Sequence, residues 1–289
     1  MKILCNGCSY TAKVSPHRTE RHTWPMFLEK ELPNAEIINF GSNAAGNRYI
    51  KETTIEYCEK YQVDAVIVMW SGLGRVDVNI SDEEFELCNM QTNPKTRYVG
   101  YKEQNYRNWF FTGGVWCRED RPLSELFPDN KIIVDLFLKY LPGYRIHEAP
   151  LERILSSINN MIDLQEYLTD KNIPFVFTSY QNYWNKQSAE MLKNKLNVDI
   201  KDDFSYNSGG SPYVCDFKKL QQYANKYLDF SKWCWAGAEG RTVFELAMED
   251  FKGRSGSYDD GDHPGATAQE LFTHKYLLPR LLSATNQTR

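Results

Sequence analysis

The stretch Val63 to Trp70 constrains the chain most. Apart from Asp64 it is continuously apolar and rich in β-branched residues, the composition of a central parallel strand buried on both faces. A sheet built on such a strand belongs to a chain that alternates strands with helices.

The flanking sequence does alternate. Lys2-Ile3-Leu4-Cys5 reads as a buried strand, broken by Asn6-Gly7 and followed by a tight turn that presents Ser9. From Thr23 to Leu32 a helix is expected, with Thr23 as cap, Pro25 in the first turn, and Phe27, Leu28 and Leu32 on one face. Pro33-Asn34 stops it. Ala35 to Phe40 then forms a second strand that runs into the small-residue loop Gly41 to Asn47. Arg48 to Tyr61 is a second helix, and Val63 to Trp70 ends in a third strand-end loop, Ser71 to Arg75. Further on, Leu151 to Thr169 carries Ile154, Leu155, Ile158, Met161, Ile162 and Leu168 at helical spacing. Ile173 to Ser179 is a fourth strand and Tyr227 to Trp235 a fifth, although Asp229 and Lys232 interrupt the latter.

This order predicts a three-layer α/β/α, flavodoxin-like fold with a five-stranded parallel sheet in the order 2-1-3-4-5. Ligands of such a sheet collect at its carboxyl edge. Two stretches break the rhythm, at about 76–150 and 180–226, and we read them as insertions in a single domain spanning 1–289. The first opens acidic at Asp82-Glu83-Glu84 and turns aromatic, with Tyr98, Tyr101, Tyr106, Trp109, Phe110, Phe111 and Trp116. Stacking on sugars is one use of those rings. Forming the insertion's own core is the commoner one, because aromatics dominate burial wherever a core is small.

Composition excludes several classes of function. A net charge of -4 and the absence of any basic run leave no electrostatic footprint for nucleic acid. No apolar run approaches the length of a membrane span, and the three apolar residues before Asn6 are too few for a secretory core, so a cytoplasmic protein is expected. Seven cysteines, an odd number scattered through the chain, read as free thiols. Cys5-Asn6-Gly7-Cys8 has the spacing of a redox pair. It falls at the first strand, without the βα elements that precede such pairs, and has no second pair to hold zinc. Cys5 is therefore expected in the core, and the chain calls for no metal or cofactor.

Near the other end, Asp259-Asp260-Gly261-Asp262-His263-Pro264-Gly265 leads into Thr267-Ala268-Gln269-Glu270, which has the pattern of a capping box opening a final helix. Asp260, three residues before His263 on a glycine-containing loop, can fold back on Nδ1 and leave Nε2 to take a proton. His17, His22, His147 and His274 have no comparable partner.

Taken together, these stretches resemble the SGNH hydrolases, also called the GDSL-type esterases and lipases. Gly7-Cys8-Ser9 matches the first block, Trp24-Pro25 a dipeptide of the following helix, Asn39 to Gly46 the second block, and Asp260-Gly261-Asp262-His263-Pro264 the last. The opening Asn6 to Thr11, with Gly46-Asn47-Arg48 and Trp70-Ser71, is most similar to SGNH-like proteins encoded by bacteriophages.

The resemblance implies Ser9 as nucleophile, His263 as its general base and Asp260 as the carboxylate that orients the base. It implies an oxyanion hole drawn from the Ser9 amide, the Gly46 amide and an asparagine of the third block. That asparagine is missing: Ser71-Gly72-Leu73-Gly74 stands there, and Leu73 cannot donate. One lost donor typically costs about 100- to 1,000-fold in rate. Asn47 or Arg75 could reach the same space, and Ser71 lies beside it. Cys8 also stands where many members have aspartate.

The activity implied is cofactor-free hydrolysis of an ester through an acyl-enzyme on Ser9, and the aromatic insertions motivate a small acyl group on a carbohydrate as the substrate class. The rival reading is a binding or structural module that kept the fold and lost the chemistry, such as a virion component whose partners are phage structural proteins.

Overall fold

The computed structural model describes residues 1–13, 22–91, 108–111, 131–140, 151–180, 203–208, 211–237, 240–249 and 263–286. Its first part runs β1 (Lys2–Gly7), α1 (Trp24–Glu31), β2 (Glu36–Asn39), α2 (Asn47–Lys60) and β3 (Ala65–Trp70). The middle holds β4 (Asp77–Asn79), α3 (Asp82–Gln91), β5 (Trp109–Phe111), α4 (Lys131–Tyr140), α5 (Leu151–Asp170) and β6 (Phe175–Ser179). The last part is β7 (Asp203–Ser208), β8 (Ser211–Asp216), α6 (Phe217–Tyr227), α7 (Val243–Glu249), α8 (Ala266–Phe272) and α9 (Leu278–Asn286).

Among the described residues four strands form the main sheet, all parallel, in the order β2-β1-β3-β6. Leu4 lies opposite both Ile38 and Val66, and Val68 opposite Phe177. Every residue of β3 and β6 is buried, as strands covered on both faces must be. This is the expected order through the fourth strand. At the fifth position only a single parallel bridge forms, between Trp233 and Phe177, with the Cys234 amide donating to the Phe177 carbonyl at 2.7 Å. Just before it, Asp229 accepts from the Ser231 amide and starts a one-turn 3-10 helix, Phe230–Lys232. A local carboxylate-to-backbone bond thus wins over the strand propensity of the neighbouring aromatics.

β1 continues through Asn6-Gly7, past the break expected there. Asn6 is fully buried. Its amide nitrogen lies 2.8 to 3.1 Å from the Thr53 and Thr54 hydroxyls and the Ile50 carbonyl on α2, and its side-chain oxygen accepts from the Gly7 amide. A polar residue survives in the core here because each of its atoms has a partner.

The helices flank the sheet in two groups. α2 packs on α5, whereas α1 packs on α8 and on the turn that follows it. From Ala266 to Asn286 the chain is helical without a break, but Thr273–Leu277 widens into a π-turn. Pro279, which cannot donate to the Lys275 carbonyl four residues back, lies two residues beyond that turn.

Two cap expectations change. Thr23 does precede α1, yet its hydroxyl donates to the Thr11 carbonyl and makes no cap bond. α8 starts at Ala266 behind an extended Gly265, which leaves Thr267 inside the helix. Capping boxes form elsewhere. Ser81 and Glu84 exchange backbone-to-side-chain bonds at the start of α3, and the Thr242 amide donates to Glu245 at the start of α7.

Replacing Asn6 by alanine leaves the buried Gly7 amide without its acceptor. We expect Asn6→Ala to lower the unfolding free energy by about 1–3 kcal/mol, read from urea denaturation. An unchanged midpoint would show that Asn6 does not tie β1 to α2.

Candidate active site

Directly after β1 the chain turns through Cys8-Ser9-Tyr10-Thr11, with the Thr11 and Ala12 amides donating to the Cys8 carbonyl at 2.9 and 3.1 Å. Gly7 is required at the start of this turn. A Cβ there would stand 2.2 Å from the Thr11 hydroxyl and 2.8 Å from the Met69 carbonyl oxygen of β3. Thr11 fixes the far side. Its hydroxyl accepts from the Trp24 indole at 3.1 Å, and its carbonyl accepts from Asn39 at 2.8 Å and from Thr23. The Trp24-Pro25 pair noted in the sequence thus acts through the indole, which anchors the turn that carries Ser9.

His263 arrives from the other end of the chain. Its Nε2 lies 2.8 Å from Ser9 Oγ, the hydrogen-bond geometry that lets an imidazole take a hydroxyl proton. The Tyr10 ring lies against the imidazole with centroids 5.1 Å apart, and Gln269 of α8 reaches the Tyr10 carbonyl at 3.5 Å. With Nε2 turned to Ser9, Nδ1 is the position for an orienting carboxylate. Asp260, expected there, lies outside the described residues.

The residues expected around the oxyanion hole have partners of their own. The Gly46 amide donates to Asp77 Oδ1 at 2.8 Å and so is already engaged. The cause is close packing, since a Cβ at Gly46 would lie 2.8 Å from both Asp77 oxygens. Asn47 is fully buried, accepting from the Ser71 amide at 2.8 Å and donating to the Ser71 carbonyl at 3.3 Å. It clamps the second strand-end loop to the third. Ser71 is buried as well, and its hydroxyl accepts from Arg75 Nη1 at 2.9 Å. The same nitrogen donates to the Ala45 carbonyl at 3.1 Å, and the guanidinium lies over the Tyr180 ring. Tyr180 in turn packs on Tyr10. Leu73 belongs to the hydrophobic core, and its carbonyl accepts from Ser157 of α5 at 2.6 Å.

Two residues missed in the sequence shape this edge. Ala44 holds a left-handed backbone, φ 65°, in a loop where such strain falls beside the site. No sequence signal marks it beyond the run of small residues. Asp77, at the start of β4, is 2% exposed and accepts from the Gly46 and Tyr49 amides at the head of α2. Burial pushes its carboxyl up to about 7, against the opposing pull of those amides and of Arg75 and Arg48.

Cys5 and Cys8 are buried, and desolvation raises the Cys5 thiol well above its ordinary value, the reverse of a reactive thiolate. Among the insertion aromatics, Trp109 is 4% exposed and packs edge-on against Tyr49 beneath Arg48. Tyr98, Tyr101, Tyr106 and Trp116 lie outside the described residues, and of Phe110 and Phe111 only the backbone is described.

No known family profile matches the chain, and no characterised protein matches it by sequence. Among solved structures, it is similar to the acetyl xylan esterase Axe2 of Geobacillus stearothermophilus at 12% identity and a TM-score of 0.41, covering 97% of this chain and 94% of that one. It is also similar to the psychrotrophic esterase EstA of Pseudoalteromonas sp. at 11% identity and a TM-score of 0.39, covering 99% and 97%. A GDSL-like lipase fold from Parabacteroides merdae gives 14% identity and a TM-score of 0.40, covering 99% and 95%. Chemistry has to come from the side chains themselves.

Because Leu73 packs in the core, an asparagine there buries an amide without delivering a donor to Ser9. We expect Leu73→Asn to cost at least about 2 kcal/mol of stability and to leave any ester hydrolysis no faster. A gain in rate in the folded variant would show that position 73 faces the oxyanion. Iodoacetamide at neutral pH should alkylate Cys5 and Cys8 of the native protein only slowly, and rapid reaction of either would reopen the thiol reading.

Proposed function

We propose that the chain is an SGNH-type serine hydrolase that cleaves an ester through an acyl-enzyme on Ser9. The observation that carries this reading is the 2.8 Å contact between Ser9 Oγ and His263 Nε2, made by residues 254 positions apart. A serine hydroxyl is a weak nucleophile until a positioned base takes its proton. His263 is that base, and Asp260 the carboxylate that sets its tautomer. His263 removes the hydroxyl proton as Ser9 attacks the ester carbonyl, then returns it to the departing alcohol. Water repeats the sequence on the acyl-enzyme and regenerates the free serine.

The oxyanion falls to the Ser9 amide and, in the second loop, to the Ala44 amide, since that of Gly46 is engaged by Asp77. Among the described residues Ala44 donates to no acceptor. Arg75 adds positive charge at the third loop. A small acyl group on a carbohydrate is the substrate class, motivated by the aromatic residues of the first insertion.

One observation favours a second reading. With Leu73 in the core and the Gly46 amide occupied, two of the three oxyanion donors implied by the resemblance are not available. A fold that had become a binding or structural module, for example in a virion among phage structural proteins, would look like this.

A fluorophosphonate probe separates the two, because it needs an activated serine as well as an exposed one. The hydrolase should be labelled once per chain, and Ser9→Ala or His263→Ala should abolish labelling. Asp260→Asn should slow short-chain ester hydrolysis by up to about 10,000-fold if that carboxylate sets the tautomer. A folded protein that takes no probe and cleaves no ester is the module instead.

A further inference from the structure

Two strand-end loops flank the Ser9 turn, and hydrogen bonds between them account for their conformation. Asn47 grips the Ser71 backbone, and Arg75 bridges the Ser71 hydroxyl and the Ala45 carbonyl. The second loop is also tied to the first strand, through the Ser42 amide and the Gly7 carbonyl at 3.0 Å. Asp77 is the buried acid in this network. Its Oδ1 takes the Gly46 amide at 2.8 Å and its Oδ2 the Tyr49 amide at 2.9 Å, so both oxygens are committed to the head of α2.

We infer that Asp77 is a positioning residue of the Ser9 site: its carboxylate locks the Gly41–Asn47 loop against the Ser71–Arg75 loop, and the lock requires the negative charge. Protonation puts a hydrogen on one oxygen and weakens it as an acceptor, while the buried amide opposite still needs a partner. A helix N-terminus also favours the ionised form, through its exposed amides and its dipole.

Among the described residues, the charged groups that face Asp77 are Arg75 from the third loop and Arg48 from α2. Arg48 is itself paired with Glu52 and lies over Trp109 of β5. Burial outweighs both cations and moves the carboxyl up to about 7. The lock therefore engages as pH rises through neutrality, and it does so at a cost. The native acid holds its proton over a range where the unfolded chain has lost it, so the Asp77 contribution to stability falls from about pH 4 to 7 as the charge appears.

The catalytic consequence rests on the hydrolase reading, but the lock itself can be measured without it. In NMR spectra of the full chain, the Gly46 and Tyr49 amide resonances should titrate together with the Asp77 carboxyl carbon, with a common midpoint near neutrality. Asp77→Asn should abolish that titration. Flat amide resonances between about pH 5 and 9, or a titration unchanged in Asp77→Asn, would overturn the lock. The wild-type spectra decide this alone should the variant fail to fold.

For the hydrolase, a neutral His263 and a charged Asp77 are both needed, so the acid limb of log kcat/KM against pH should approach a slope of about two, falling to about one in Asp77→Asn. A wild-type slope of one, with the amides titrating, would overturn the positioning role and leave the lock. Absence of any hydrolysis or probe labelling would count against the hydrolase reading alone.

Discussion

The arrangement depends on Gly7 having no side chain. β1 lies between two parallel neighbours, and at its end the backbone has to turn out of the sheet while still touching β3. There is space for that only if Thr11 can fold back onto Gly7, where a Cβ would collide with its hydroxyl and with the Met69 carbonyl. Once Thr11 is seated, it collects Trp24, Thr23 and Asn39, joining the head of α1 and the end of β2 to one turn. Ser9 is presented by a turn whose other side is fully engaged. The backbone that carries Ser9 is therefore held in place independently of His263, which reaches the hydroxyl from 254 positions further along the chain.

Much of this was legible in the sequence, for definite physical reasons. Val63 to Trp70 could be read as a central strand because burial on both faces leaves no alternation. Ser9 and His263 could be read because each stands at a transition, one just past a strand and one just before a helix. Their partnership was implied by the resemblance of the two short blocks to those of the SGNH hydrolases, which needs no distance. The fifth strand was overestimated because aromatic propensity is visible in a window, whereas the single bond from Asp229 to the Ser231 amide that redirects the chain is not.

Capping patterns show the same limit. Thr267 to Glu270 and Thr242 to Glu245 share a letter pattern, yet only the second forms its bond, because the first helix had already begun one residue earlier. The contacts that join the loops beside the site were less legible still. Asn47, Gly46 and Asp77 owe their roles to partners 24 and 31 positions away, on loops that come together only when the sheet is complete. A three-residue strand such as β4 has no period by which to recognise it, and a single aspartate gives no sign of being buried. Leu73 was recognised as the wrong chemistry for a donor, but its place in the core could only be seen in three dimensions.

The span between Ser9 and His263, 254 residues, also bears on synthesis. A ribosome makes the turn that carries Ser9 first, and the sheet around it can assemble as each βα unit emerges. The histidine follows 254 residues later, together with the helix that steadies it. At about 5–20 residues per second, the intervening chain takes roughly 13–50 seconds to make. For that interval the growing polypeptide carries Ser9 without His263, and a product cut short within it cannot form the pair. The contact is thus a mark of translation past position 263, and fragments that stop earlier lack it whatever else of the sheet they have built.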